Sequence, residues 1–418
     1  MENKESGALR GALNDSWDIL IKIILTALIH LSETGSQVYT FWSGRGGGKS
    51  TFLDLVGQKL SIIPDIHLLG KWDIRRVTFD QLSIEVLSAL ENAPKKQKKV
   101  VLLDDLDSLL RKDENDFFGF ERKVIHSLLE EKGILIIATS NIQIKQWREY
   151  EVRIKHSNFQ IPALTINDIR PLAIQWRRKP EEIYAISLGY PLVLEWLQNN
   201  PKFSEKDVAK KYSSYFFNDL PADIVQLAKT ACLLPTFNVA ILRLLLASGN
   251  NTGKTESLYA EYLGKIRYLM GTGLIHWDAD IGAYRFIDNV IRRLLARSIL
   301  YENSVDFHNI HVVAAQYFQN EARRASYLQY SFVSALYHLA QSHRDKKSTE
   351  VGEICRNWVK EKLSTWVGAD WEAVSVAWRT GANDLSIIEE LKDLIGLVAY
   401  IQITQLLEEV EQNPEVVS

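Results

Sequence analysis

The hydrophobic pattern changes period along the chain. From about residue 9 to 33 apolar positions recur at helical spacing. From about 37 to 162 short apolar, β-prone runs alternate with amphipathic stretches. The runs fall at 37–42, 65–69, 99–104, 133–139 and 157–161, which predicts five strands. The stretch from Phe117 to Gly133 reads as one helix stopped by its glycine. Such alternation predicts a parallel sheet covered by helices on both faces. After Pro162 the strand pattern ends, and residues 165–202 read as short helices broken at Pro171, Pro180 and Pro191. From about 204 to 303, helices precede a strand–turn–strand run, Gly273 to Ile287, with Asp280 and Gly282 in the turn. A hairpin after helices is the pattern of a winged helix. From 304 onward the chain is helical and aromatic-rich, with a polar break from Ser342 to Glu350. The predicted organisation is an N-terminal helical segment (1–34), an α/β domain (35–163), a helical region (164–203), a winged-helix domain (204–303) and a C-terminal helical domain (304–418).

Composition narrows the classes. At 418 residues, 46% hydrophobic and 24% charged, the chain has the balance of a soluble globular protein of several domains. Lys and Arg number 49 against 52 Asp and Glu, a net charge of −3, which argues against a dedicated nucleic-acid binder but not against a local basic patch. The two cysteines, Cys232 and Cys355, form no metal-ligand spacing, so disulfide and zinc roles are not expected and a reducing cytoplasm is. No secretory signal pattern is read at the N-terminus. The most apolar run, Asp18 to Leu31, reaches about two-thirds of a membrane span and carries Asp18, Lys22 and His30. It reads as a buried or partner-facing helix, with no membrane role.

The chemistry concentrates in the run from Val38 to Thr51. A β-prone stretch ends at Trp42, then come Ser43, Gly44, Arg45, Gly46, Gly47, Gly48, Lys49, Ser50 and Thr51, and Phe52, Leu53, Leu55 and Val56 resume at helical spacing. Strand, glycine loop and helix in this order is the context of a phosphate-binding P-loop. Glycines let backbone N–H groups face anionic oxygens, and the helix N-terminus adds partial positive charge. Lys49 is the candidate for the β- and γ-phosphates, and the Ser50 hydroxyl for Mg²⁺. Ser43 stands where the eight-residue pattern has its first glycine, a position that shapes the turn. The alternative reading is a plain glycine turn before a helix. A second run with the same spacing, Ser248 to Thr255, follows a helical rather than a strand pattern and reads as a surface loop.

The strand Val100 to Leu103 ends in Asp104 and Asp105. A buried parallel strand delivers such carboxylates to the sheet edge where ligands sit. Asp104 is the candidate partner of Mg²⁺ and Asp105 the candidate for polarising an attacking water; both could instead be helix-capping acids, as could Asp107. Thr139, Ser140 and Asn141 end the next strand and are candidate γ-phosphate sensors, or ordinary turn residues. Arg45 and Arg153 are candidate phosphate or neighbouring-subunit contacts, or surface arginines.

On these motifs the chain resembles STAND-class P-loop ATPases, the NACHT and NB-ARC regulatory switches related to AAA+ proteins. The resemblance rests on the P-loop, then Leu102-Leu103-Asp104-Asp105, then the strand ending at Asn141, then Gly189-Tyr190-Pro191 in a helical lid, then the winged-helix pattern, and covers about 35–300. It implies an α/β P-loop NTPase followed by a helical lid, a winged helix and an all-α C-terminal region. It implies that Pro191 wedges against adenine and ribose, and that the winged helix closes over ADP. Phe286-Ile287-Asp288 stands where NB-ARC switches carry Met-His-Asp. The aspartate is kept and the histidine is absent, and Asp288 is equally a helix N-cap. The implied activity is slow, regulatory hydrolysis of ATP to ADP with Mg²⁺, driving a conformational or oligomeric switch. Implied partners are a homo-oligomer, a separate effector on the N-terminal helix and a trigger ligand at the C-terminal helices, in a setting such as prokaryotic antiviral defence. Trp358, Trp366, Trp371 and Trp378 are the candidate trigger surface, or core. The alternative is an origin-recognition-like AAA+ ATPase that binds DNA through its winged helix, with Ala260 to Gly273 as recognition helix and Lys265 and Arg267 as its bases.

Overall fold

The computed structural model describes residues 14–249, 259–322, 328–366, 369–380 and 385–412. Residues 9–13, and all but Ser248 and Gly249 of the second glycine–lysine run, lie outside the described residues. The chain divides into two compact units, 1–208 and 209–418.

The first unit opens with α1 (Asn14–Thr34), β1 (Gln37–Trp42), α2 (Lys49–Ser61), β2 (Ile66–Asp73), α3 (Phe79–Glu91) and β3 (Lys98–Asp104). The chain continues through α4 (Asp107–Lys112), α5 (Glu114–Phe120), α6 (His126–Glu130), β4 (Ile134–Ser140), α7 (Tyr150–Lys155) and β5 (His156–Gln160). All five strands are parallel, in the order β2-β3-β4-β1-β5. This is the α/β P-loop NTPase fold: the acidic strand β3 is separated from the loop-bearing β1 by β4. Continuous apolar runs place β3 and β4 at the centre, where both faces are covered. The polar β5 (His-Ser-Asn-Phe-Gln) takes an edge. Register puts Trp42 of β1 opposite Ser140 and Leu103 of β3 opposite Ala138, so three strands end level at one edge.

Three local departures from the pattern have identifiable causes. β2 runs four residues beyond the expected 69 because a register shift at Leu68/Gly70 absorbs the glycine that reads as a break. The helix expected over Phe117–Gly133 contains a π turn, Glu121–Ile125, in which the buried Glu121 carboxylate accepts the Glu149 N–H at 2.8 Å. Pro171 does not break a helix; it lies within α8 (Ile166–Trp176). The Asn167 carbonyl it leaves without an i+4 donor belongs to an exposed residue, so water can serve it. Of the two readings of the apolar run in α1, buried or partner-facing, its stripe (Trp17, Leu20, Ile21, Ile24, Leu28, Leu31) takes the first and is buried within the unit. Ser16 donates from both backbone and hydroxyl to Asp168 of α8. An effector docking on α1 is left with Ile19 and Ile29, 63% and 66% exposed. The unit also holds α9 (Pro180–Ser187) and α10 (Pro191–Asn199), so Pro180 and Pro191 start helices as expected; α11 (Glu205–Phe217) follows.

In the second unit, α12 (Ala222–Cys232), α13 (Val239–Gly249) and α14 (Tyr259–Gly271) precede the antiparallel pair β6 (Ile275–Asp278) and β7 (Ala283–Phe286). Phe237, between α12 and α13, exchanges two 2.8 Å backbone hydrogen bonds with Tyr284 of β7. Three helices with a small sheet of this order form a winged helix. The rest is helical: α15 (Asn289–Glu302), α16 (Ser304–Ala322), α17 (Leu328–Gln341), α18 (Ser348–Thr365), α19 (Trp371–Thr380), α20 (Leu385–Ile395) and α21 (Leu397–Gln412). Trp366, Trp371 and Trp378 are buried in the core of these helices, and Trp358 packs half-buried against Phe332 with ring centroids 5.3 Å apart. They are core, not a displayed trigger surface, because large aromatics on a bundle's apolar stripes are buried against neighbouring helices. Among the described residues no helix is long and apolar enough to cross a membrane.

Two buried histidines make this unit sensitive to acid. The Nδ1 atoms of His311 and His338 lie 2.7 Å apart, a hydrogen bond that needs one donor and one acceptor. Burial, then the Arg292 charge, holds His338 down at about 3, and burial and His338 lower His311. Below the unfolded value near 6.5 the unfolded chain therefore binds protons that the folded chain refuses, so stability falls as pH drops. At pH 5, His338 alone accounts for a loss of about 2 kcal/mol. Urea unfolding of this unit at pH 7.5 and pH 5 is expected to show that loss, and His338→Gln to reduce it.

Candidate functional site

The P-loop connects the end of β1 to the start of α2. Gly46 and Gly48 take φ of +89° and +82°, left-handed values that suit glycine. Crowding adds a second requirement. A Cβ on Gly47 would lie 1.7 Å from the Ser43 hydroxyl oxygen, and one on Gly46 would lie 2.8 Å from Leu192. On Gly48 it would meet the Trp17 ring at 2.9 Å and Pro191 at 3.1 Å. Ser43 replaces the pattern's first glycine without harm because its side chain fills the space beside Gly47, and its N–H donates to the Ser140 carbonyl at 3.2 Å. Gly48 is the N-cap of α2 and supplies no side-chain acceptor. Lys49 is buried, and its Nζ donates to the carbonyls of Ser43 and Gly44, both at 3.0 Å. Ser50 is exposed and Thr51 half-buried in the first turn of α2.

The acids stand at the same edge. The Thr139 hydroxyl donates to the Asp104 carboxylate at 2.5 Å and accepts the Asp105 N–H at 3.1 Å; the Thr139 carbonyl accepts the Leu106 N–H at 2.7 Å. One threonine thus brackets the turn after β3 and holds both acids, Asp104 and Asp105, in place. Asp105 has a φ of +63°, a left-handed conformation uncommon outside glycine but one that aspartate tolerates better than most side chains. Its carboxylate accepts Asn141 Nδ2 at 2.6 Å and Arg111 Nη2 at 2.9 Å. Burial first, then Asp107, raises its pKa above the ordinary carboxylate value, against the opposing charges of Arg111, Lys49 and Arg75. The Lys49 influence ties the acidic edge to the P-loop. Asp107 does not cap α4; it is buried and accepts the Asn141 N–H at 2.9 Å and an Arg111 guanidinium N–H. Ser140 donates to the Ile142 carbonyl at 2.6 Å and so shapes the strand end, while the sensor candidates Thr139 and Asn141 touch Asp104 and Asp105.

Arg153 is displaced from this picture. It lies on α7, whose end leads directly into β5, and β5 starts opposite Val38. That is the far edge of a parallel sheet, on the order of 16 Å from the P-loop for a five-residue strand. Arg153 instead stacks over Tyr150 at 5.9 Å. Arg45 is exposed, and its carbonyl accepts the Tyr190 hydroxyl at 2.9 Å. In the second unit Asp288 is the N-cap of α15, its carboxylate accepting the Val290 N–H at 2.8 Å. The sequence reading missed Arg75 and Arg111. Arg111 carried a signal, its i+4 spacing from Asp107. Arg75, 3.8 Å from the Asp105 carboxylate, follows β2, and only the strand order places it beside β3.

The lid sequence Gly189-Tyr190-Pro191 closes the site from the other side. Gly189 has a φ of +72°, and a Cβ there would lie 1.8 Å from the Leu164 carbonyl oxygen. Pro191 starts α10 against Gly48, and the Leu192 N–H donates to the Gly46 carbonyl at 3.1 Å.

No protein-family model matches the chain, and no curated protein matches it. Among solved structures it is similar to the Walker-type ATPase of Pyrococcus abyssi, at 13% identity and a TM-score of 0.45, over 65% of this chain and 94% of that one. It is also similar to the Aeropyrum pernix ORC2 protein, solved as ADPNP–ADP complexes, at 12% identity and a TM-score of 0.37, over 69% and 93% of the two chains. Cdc6p from Pyrobaculum aerophilum stands at 12% and 0.31, over 69% and 94%. At these scores the likeness decides nothing, and the fold rests on strand order and register.

Gly189→Ala adds a Cβ where backbone already stands and forces alanine into a left-handed conformation. It is expected to destabilise the N-terminal unit by about 3 kcal/mol, read as a lower midpoint in urea unfolding.

Proposed function

We propose that the protein is a regulatory ATPase that binds ATP and ADP on the loop from Ser43 to Thr51, hydrolyses ATP slowly, and uses the nucleotide state to reposition its helical lid. The observation that carries this reading is the direct linkage of lid to loop: Leu192 N–H to Gly46 carbonyl, Tyr190 hydroxyl to Arg45 carbonyl, and Pro191 against Gly48. A phosphate that draws the loop amides inward pulls on the lid through these contacts.

In this reading Lys49 exchanges its two carbonyl partners for the β- and γ-phosphate oxygens. The Ser50 hydroxyl and the Asp104 carboxylate are hard oxygen donors at one edge, which suits Mg²⁺, and they would hold it. The ion supplies charge neutralisation on the terminal phosphates. Asp105, its carboxyl raised by burial, accepts a proton from the attacking water, and Asn141 orients it. Arg111 competes for the same carboxylate, which supports slow turnover. Lid repositioning from mostly closed to mostly open calls for a differential of about 5 kcal/mol between the two states. A second copy of the chain is the partner this reading favours for part of it. The DNA-binding alternative stands beside this reading: Lys265, one of two bases on α14, is 3.1 Å from Asp223 in a surface ion pair that a duplex phosphate can displace. A steep salt dependence of duplex binding would favour it.

Lys49→Ala is expected to weaken ATP binding at least 100-fold by calorimetric titration. Unchanged affinity in that variant would falsify the site. Asp105→Asn is expected to lower kcat by at least tenfold while changing the ATP dissociation constant less than threefold. Mass photometry of wild-type protein with ADP and with a slowly hydrolysed ATP analogue is expected to show a larger species only with the analogue.

A further inference from the structure

The pairing register of β3 with β4 ends at Leu103 and Ala138, one residue short of Asp104 and Thr139. Thr139 stays paired with Phe41 of β1 on its other side, so its backbone is held. Beyond the end of the register the Thr139 hydroxyl joins the two strand ends. A threonine hydroxyl has one proton and two lone pairs. The proton goes to Asp104 Oδ1 at 2.5 Å, and a lone pair takes the Asp105 N–H at 3.1 Å. Thr139 is fully buried. No proton remains for a γ-phosphate, so the direct sensor bond expected of this residue would require breaking the Asp104 contact.

The two neighbouring acids differ in what their partners leave open. Both oxygens of Asp105 are taken, Oδ1 by Asn141 and Oδ2 by Arg111. Among the described residues the Asp104 carboxylate accepts no hydrogen bond besides that of Thr139 and forms no ion pair. Its Oδ2 is therefore left without a protein donor. A carboxylate turns about its last torsion as a roughly two-fold rotor. A short, charge-assisted hydrogen bond to one oxygen decides which oxygen is left for another partner.

We propose that Thr139 is a positioning residue for the divalent cation. By holding Oδ1 of Asp104 it leaves Oδ2 as the oxygen offered to Mg²⁺, and so sets how strongly the ion tightens nucleotide binding. This rests on the ATPase reading above, and it gives Thr139 a role exerted through Asp104 instead of on the phosphate. Partners that orient a metal-ligating carboxylate typically change metal affinity by about 10- to 100-fold when removed.

The test is calorimetric titration of the full chain with a non-hydrolysable ATP analogue, once with Mg²⁺ and once with EDTA. The ratio of the dissociation constant in EDTA to that in Mg²⁺ measures what the ion contributes. Thr139→Val keeps the side-chain shape and removes the hydroxyl. It is expected to lower the ratio at least tenfold, while the dissociation constant in EDTA changes less than threefold. Thr139→Ser restores the hydroxyl and is expected to keep the wild-type ratio within threefold. Should the valine variant not fold, Thr139→Cys, whose thiol is a weak donor and acceptor, is expected to lower the ratio at least threefold. An unchanged ratio in the variant without the hydroxyl overturns the proposal and leaves ATP binding in place. So does an equal loss in EDTA, which makes Thr139 a contact of the fold alone, or wild-type binding that ignores Mg²⁺. No analogue binding by the wild-type chain in either condition removes the ATPase reading and this proposal together.

Discussion

A short loop that has no room for side chains constrains the whole N-terminal unit. The P-loop turns through two left-handed glycines while the Ser43 hydroxyl, the Trp17 ring, Pro191 and Leu192 press on it. The contacts come from three elements: β1's end, α1 and α10. The loop is thus the point where helix, sheet and lid meet. Any group that alters its path, a phosphate included, is felt by all three. That is the physical basis for reading the lid as responsive to nucleotide.

The acidic edge works by a similar economy. Thr139 satisfies the Asp104 carboxylate and two backbone groups of the following turn, so one side chain fixes the geometry of both acids. The left-handed Asp105 is held from the other side by Asn141 and Arg111. A carboxylate so restrained has little freedom to drift, and its buried setting favours the basicity a proton acceptor needs. Arg111 opposes that rise through its charge and its hydrogen bond to the same carboxylate.

The C-terminal unit is organised on different terms. Its apolar core absorbs the tryptophans, yet Arg292, Tyr337, Gln341, Glu390, His311 and His338 are also buried. A buried polar network of this kind specifies which helices meet more than it adds stability.

Much of the N-terminal unit was legible in the sequence, because short-range patterns control it. Apolar runs bounded by breakers marked the first four strands, the short run 157–161 marked the polar β5, and the spacing of glycines, lysine and aspartates marked the loop and acidic edge. What the sequence left open depends on neighbours distant along the chain. Residues 117–133 carry no visible sign of a π turn, and Gly70 reads as a break until the register with β3 is known. Arg153 looked available until the parallel pairing of β5 placed it at the wrong edge, and Arg75 carried no signal until strand order placed β2 beside β3. The tryptophans read equally as surface or core, since composition does not say which face of a helix meets another. The sequence by itself determined the elements and the chemistry each strand end carries. Only the tertiary structure decided which ends, charges and aromatics meet, because burial and charge pairing are set by packing between segments remote in the chain.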